Sequence, residues 1–289
     1  MIFLLLSIIS SSFLVLTFKY FEKYKIDNFQ AAVFNYIVAS GLGFCLNFNL
    51  MNGITTFRQP WVFLAVILGL LFISMINIIA TVTQKNGVSV AIVATKTSLI
   101  IPVCLAIFLY GDHLNGLQWS GVFLAIISVV MVSMKDKISG GAKSANTFLL
   151  PGILFIATGI ADTLIKYAQV KYVAPKEFGL FIAVLFGVAA LVGTVFVLIQ
   201  VLFFKKKFRL KNLIGGIILG FINYGTLIFL MKTLHTTPYG SAVIFPLNNM
   251  GVVVFSAIVA AFVFKEKLSL LNKTGIFIAV IAIALITFS

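Results

Sequence analysis

Long apolar runs follow one another along this chain with little between them, and their length decides the solvent before anything else is read. A helix needs about 20 mostly apolar residues to cross the hydrocarbon core of a bilayer. Ten runs approach or meet that length, at approximately 2–18, 29–50, 61–83, 88–110, 117–134, 147–167, 178–204, 212–231, 240–264 and 271–288. Lipid cannot satisfy exposed backbone N–H and C=O groups, so such runs must be helical or close into a barrel. Barrel strands alternate apolar with polar residues, and these runs do not. The expected fold is an all-α integral membrane protein of ten transmembrane helices.

Composition removes the soluble alternative. Hydrophobic residues make up 61% of the chain and charged residues only 10%, where a soluble domain carries about a quarter. The net charge of +14 comes from basic residues in short clusters between apolar runs, the placement of topology signals and not of a nucleic-acid face. Lys205 to Lys211 (KKKFRLK) reads as a contact with anionic lipid. Cys45 and Cys104 lie inside apolar runs and are expected to be buried structural thiols; His113 and His235 stand at run edges, far apart. No metal and no cofactor is expected. Met1 to Phe18 has no basic residue ahead of its apolar core and leads straight into further runs, so it reads as a first span and not as a signal peptide.

Self-similarity organises the runs. Residues 111–133, GDHLNGLQWSGVFLAIISVVMVS, match 265–287, KEKLSLLNKTGIFIAVIAIALIT, at an offset of 154. Asp112 meets Glu266, Leu114 meets Leu268, Leu117 meets Leu271, and Ser120-Gly121 meets Thr274-Gly275; Phe123 and Ala125 match Phe277 and Ala279. A fainter echo links FKY at 18–20 with IKY at 165–167. The chain thus divides into a first five-helix repeat, 1–134, a polar linker, 135–146, and a second five-helix repeat, 147–289. Five spans per repeat place the second copy upside down in the membrane, the inverted architecture of many secondary transporters.

These paired units, each with an acidic short turn followed by a small residue and glycine at a helix start, resemble the EamA-like branch of the drug/metabolite transporter superfamily. The resemblance covers nearly the whole chain in length, span count and duplication. It implies export or exchange of small metabolites, often amino acids, by alternating access and without ATP; no GxxxxGK[ST] phosphate loop is present. The chain departs from the family at Asp112, where glutamate is more usual in the first copy.

Lys96 is the sharpest candidate residue. It lies eight residues past Val88, roughly 12 Å into the fourth run at 1.5 Å per residue. A lysine so placed either snorkels to the interface or faces the bundle interior; its neighbours Thr95, Thr97 and Ser98 favour the interior. Pro102 in the same span and Pro246 in the repeat-related span are expected to kink their helices, a pointer to a transporter's central site. Asn248 and Asn249 follow Pro246, while Asn77, Asn223, Tyr224, Tyr36 and Asn35 add polar groups in other spans, each as readily a link between helices as a substrate ligand. Asp162 invites a proton-coupling role, but Lys166 follows at helical ion-pair spacing and is the expected partner. Asp112 and Glu266 read as helix caps.

The expected function is a monomeric secondary transporter in the inner membrane of a bacterium, carrying a small anionic or zwitterionic substrate. A lipid flippase on the same fold is the alternative. A membrane-embedded enzyme is disfavoured, because seven acids in the whole chain leave no paired carboxylates to do chemistry. Of the 21 basic residues, 15 fall in the odd-numbered loops, which the positive-inside rule places in the cytoplasm. Both termini would then lie outside, whereas the family resemblance implies both inside. A reporter fused after Ser289 tests the count: it should be active outside the cytoplasm, and cytoplasmic activity would reverse the orientation.

Overall fold

The structure is a computed structural model that describes residues 1–51, 53–86, 88–111, 114–133, 146–205, 209–263 and 269–287. Almost all of them are helical: α1 (Ile2–Lys23), α2 (Asn28–Leu46), α3 (Trp61–Asn86), α4 (Val88–Thr97), α5 (Ile100–Tyr110), α6 (Gly116–Ser133), α7 (Asn146–Lys171), α8 (Phe178–Leu202), α9 (Leu210–Thr236), α10 (Ser241–Val263) and α11 (Leu270–Thr287). No strand occurs among the described residues. Seven of the stretches are long and apolar enough to cross a membrane; α4 and α5 together supply one of them, Val90–Phe108. Shorter apolar helices cover Ile2–Thr17, Gly116–Val132 and Leu270–Ile286. The protein is therefore all-α and multi-pass. The linker at 135–146 lies outside the described residues except for Asn146.

Two compact units form, and each draws on both halves of the sequence. One comprises Met1–Asn77 with Leu164–His235, the other Ile78–Thr163 with Thr236–Ser289. This partition differs from the sequence halves 1–134 and 147–289, because compactness follows packing and not order along the chain.

Close backbone approach holds the first unit together. Association of helices in lipid gains nothing from hydrophobicity, so small residues that let backbones meet, with interhelical hydrogen bonds, supply the attraction. In α9, Gly216 and Gly220 are one helical turn apart and both face α2; a Cβ on Gly216 would sit 2.6 Å from the Ala31 carbonyl oxygen, and one on Gly220 2.8 Å from that of Asn35. Gly43 of α2 meets Ala183 of α8 in the same manner, and Ser40 Oγ donates to the Ala183 carbonyl at 2.8 Å. Asn212 Nδ2 donates to Gln30 Oε1 at 2.6 Å while its Oδ1 accepts from the Asp27 amide at 3.1 Å. Asp27 itself caps α2, accepting from the Gln30 amide at 3.0 Å.

In the second unit α6 and α11 pack antiparallel: Gly121 lies against Ile286 at one end and Gly275 against Val132 at the other. Ser128 Oγ donates to the Gly275 carbonyl at 2.9 Å, and Asn272 Nδ2 donates to the carbonyls of Met131 and Val132. Each of these helices begins with a reciprocal cap. Asn115 Oδ1 accepts from the Gln118 amide at 2.8 Å and Gln118 Oε1 from the Asn115 amide at 3.1 Å. Ser269 Oγ accepts from the Asn272 amide at 3.2 Å and Asn272 Oδ1 from the Ser269 amide at 3.1 Å. Asp112 and Glu266, the caps the sequence suggested, lie with His113 outside the described residues.

Apolar side chains cover the outside as well as the inside. Phe108 and Phe262 stand more than four-fifths exposed. That inversion corrects one expectation: Cys45 and Cys104 are exposed, not buried. A thiol is as much at home against lipid as in a core, so an apolar neighbourhood in sequence does not imply burial here.

The glycine contacts predict the response to added bulk. Gly216→Leu should cost about 1–3 kcal/mol or more, because backbone and not a flexible side chain stands in the way. Gly41→Leu, at a position with nothing within 4 Å, should be nearly neutral. Thermal unfolding of the detergent-solubilised variants measures both; equal stability of the two would show that the α2–α9 approach is not close.

Candidate functional site

The break between α4 and α5 starts from one residue. Proline has no N–H, so Pro102 cannot donate to the carbonyl of Ser98, four residues back. Helix is lost at Ser98 and Leu99, where the Ile101 amide turns to the Ser98 carbonyl at 2.9 Å before the Val103 amide resumes the regular pattern on Leu99 at 3.1 Å. Ser98 Oγ donates to the Thr95 carbonyl at 2.7 Å, one of those the break releases. Pro246 does not break its helix: α10 runs from Ser241 to Val263 through it. It stands in the second turn, inside the helix, where the missing N–H removes one backbone bond without ending the helix.

The break puts Lys96 in the last turn of α4. The carbonyls of a helix C-terminus carry partial negative charge, which favours an ammonium there. Lys96 Nζ donates to Asn249 Oδ1 of α10 at 3.3 Å. The neighbouring hydroxyls donate to backbone: Thr95 to the carbonyls of Ala91 and Ile92, and Thr97 to that of Val93. Asn248 is 8% exposed, and its buried Oδ1 has no hydrogen-bond partner. Interior carbonyl oxygens in that condition are uncommon and mark a place where a donor fits.

Asp162 of α7 completes the group. The opposite charge of Lys96, on another helix, acts on its carboxylate. Protein surrounds both side chains, yet each keeps part of its surface accessible. Lys96, Asn249, Asn248 and Asp162 all belong to the second unit.

The remaining candidates belong to the first unit, where several make links between helices. Tyr36 OH donates to the Phe72 carbonyl at 3.4 Å and its ring stacks on Phe186. Asn223 Nδ2 donates to Asn35 Oδ1 at 3.2 Å. Tyr224 OH accepts from Nδ2 of Asn47, a residue the sequence did not single out, at 3.4 Å. Asn77 sits at an exposed position of α3.

Seven spans of the required length and apolarity define the class: a polytopic α-helical membrane protein. An uncharacterized protein of Haemophilus influenzae strain Rd is 30% identical over 262 residues, 88% of this chain and 86% of the relative, and this chain belongs to its family. No protein-family model matches. A protein solved by crystallography shares the fold, with a TM-score of 0.76 at 15% identity over 99% of this chain and 96% of that one.

Pro102→Ala tests the origin of the break. Restoring the N–H should close the helix at Ser98 and stabilise the protein by about 1 kcal/mol or more, with roughly tenfold slower amide exchange at residues 98–102. Unchanged exchange in the folded variant would assign the break to packing.

Proposed function

We propose that the protein is a secondary transporter of small anionic or zwitterionic metabolites, amino acids among them, working by alternating access in a bacterial inner membrane. The observation that carries this reading is Lys96: a charged ammonium well inside a span, at a helix end opened by Pro102 and hydrogen-bonded to Asn249. An intramembrane charge is costly, and such charges ordinarily line a solute pathway. Helices interrupted within the membrane and polar at the interruption are how many transporters build their central sites.

A ten-span architecture of two inverted repeats, of the drug/metabolite transporter kind, is part of the proposal. Seven long apolar spans and three shorter apolar helices support the count. Support for duplication comes from the helix starts. The cap formed by Asn115 and Gln118 and that formed by Ser269 and Asn272 stand at the same offset of 154 as Gly121 and Gly275. Antiparallel contact of α6 with α11 is the relation that inversion of one copy against the other produces.

Lys96→Met keeps the length and apolar bulk of the side chain and removes the charge. Insertion should be unharmed, since a lysine at a span centre costs about 2.5–3.5 kcal/mol. Flux of amino acids and small carboxylates into liposomes should fall at least tenfold at matched folded protein, and Lys96→Arg should restore only part, because a planar fork does not replace a compact ammonium. Equal flux in wild type and Lys96→Met would remove Lys96 from the site.

A further inference from the structure

Among the described residues, two that are not glycine take a positive φ, and both are lysines: Lys25 at 49° and Lys205 at 52°. A Cβ in that left-handed region crowds the following carbonyl oxygen, so glycine is the residue a helix end ordinarily places there. Lys25 stands just beyond α1, where the Ile26 amide donates to the Phe21 carbonyl at 2.9 Å and closes the helix end. Lys205 stands just beyond α8. Both side chains are exposed, so core packing does not account for either. A helix C-terminus favours a cation, yet a lysine in the last turn would serve without the strained backbone. Strain kept twice under exposed cations points to what those cations touch. The two lysines belong to stretches that hydrogen bonds join within the first unit. Lys211 Nζ donates to the Tyr24 carbonyl, and Asn212 Oδ1 accepts from the Asp27 amide at 3.1 Å. Residues 19–27 and 205–211 together carry eight basic residues against two acids. Arg209 is exposed like the two lysines, and large aromatic side chains of the same stretches are exposed with them: Tyr24 at 56%, and Phe203 and Phe204 at 77% and 76%.

We propose that these two stretches form one binding site for an anionic phospholipid, with Lys25, Lys205 and Arg209 receiving its phosphate and Lys211 acting as a positioning residue that ties the stretches together. The chemistry follows from what surrounds the cations. They lie beyond the ends of apolar spans, the level at which the phosphates of a bilayer lie. Exposed aromatic rings at that level sit between headgroups and acyl chains. A free inorganic anion would match the cations and leave Phe203 and Phe204 bare. A zwitterionic lipid would cover the rings but bring its own ammonium to a basic cluster. A lipid with net negative charge satisfies both, and each lysine or arginine near such a surface strengthens binding about fivefold. A basic run in a single loop would attract a charged surface without shaping a site. Here the α1–α2 turn supplies Lys25 and the α8–α9 loop supplies Lys205 and Arg209, so one headgroup is shared between two loops. Lys96 belongs to the other unit, and this site stands whether or not Lys96 lines a solute path.

Native mass spectrometry of the full chain in detergent, with phosphatidylglycerol or phosphatidylcholine of the same acyl chains added, tests the site. Wild type should retain phosphatidylglycerol roughly tenfold more than phosphatidylcholine. Lys25→Gly and Lys205→Gly each remove a charge and relieve the backbone together, so the melting temperature should hold or rise while retained phosphatidylglycerol falls about fivefold. Adding Arg209→Gln to both should bring the loss to roughly tenfold or more. Lys171→Gln with Lys176→Gln removes two exposed charges at the other end of α8 and should leave retention as in wild type. Should the triple variant fold poorly, the two glycine variants decide. Equal retention of the two lipids would assign binding to acyl chains and overturn the proposal, as would wild-type retention in the glycine variants. Lipid lost together with stability in those variants would mean that the lysines hold the fold and not the lipid, and overturns it too. A loss of the same size in the Lys171→Gln, Lys176→Gln control would leave only net charge at work and no site. Displacement of the lipid by millimolar inorganic phosphate would make this a free-anion site and overturn the choice of lipid.

Discussion

Hydrocarbon offers no hydrogen bonds, and every part of this molecule answers to that constraint. The backbone closes on itself as helices, and helices attract one another only by touching closely or by sharing polar atoms. Gly216 and Gly220 bring α9 onto the backbone of α2, and Gly121 and Gly275 do the same for α6 and α11. Where a donor is missing, as at Pro102, the chain repairs the deficit within a turn, by a shifted amide at Ile101 and by the hydroxyl of Ser98. The break is tolerable because little is left unsatisfied there, and it leaves a helix end on which an ammonium can rest.

Much of this was legible in the residues. Runs of span length gave the helices to within a few residues, since lipid permits only helices and closed barrels and the runs lack a barrel's alternation. Lys96 and Asn249 stood out because charge and carboxamide are expensive in apolar runs. What escaped detection was whatever depends on distance across the bundle. Spacing of four pointed Asp162 to Lys166, and no spacing could show that the charge of Lys96, on α4, also acts on it. The reciprocal caps of α6 and α11 rest on amide and hydroxyl side chains that spacing did not mark. Cysteines were placed inside by a rule that belongs to water; with lipid outside, apolar character no longer says which way a side chain faces.

Among the described residues, Trp61 Nε1 and Gln169 Oε1 of the first unit and Asn248 Oδ1 of the second are buried side-chain atoms without a hydrogen-bond partner. In the first, Asn35, Asn47, Asn212 and Asn223 are joined to partners in hydrogen-bonded pairs, so these carboxamides work as bolts. In the second, Asn248 keeps a buried carbonyl oxygen unused and Lys96 keeps donors beyond the one it gives to Asn249. An unsatisfied buried atom is a standing cost.

The reciprocal caps carry a consequence for how such a chain can change. Asn115 with Gln118 and Ser269 with Asn272 use different side chains to make the same two bonds, 154 residues apart. Altering one member of either pair strands a single backbone donor and leaves the other bond standing, because each side chain accepts from the other residue's backbone. Each member can then be replaced by another acceptor of similar reach without its partner changing, and the geometry outlasts the letters that encode it. Likeness between the two halves is therefore better sought in which residues satisfy each other than in which residues they are.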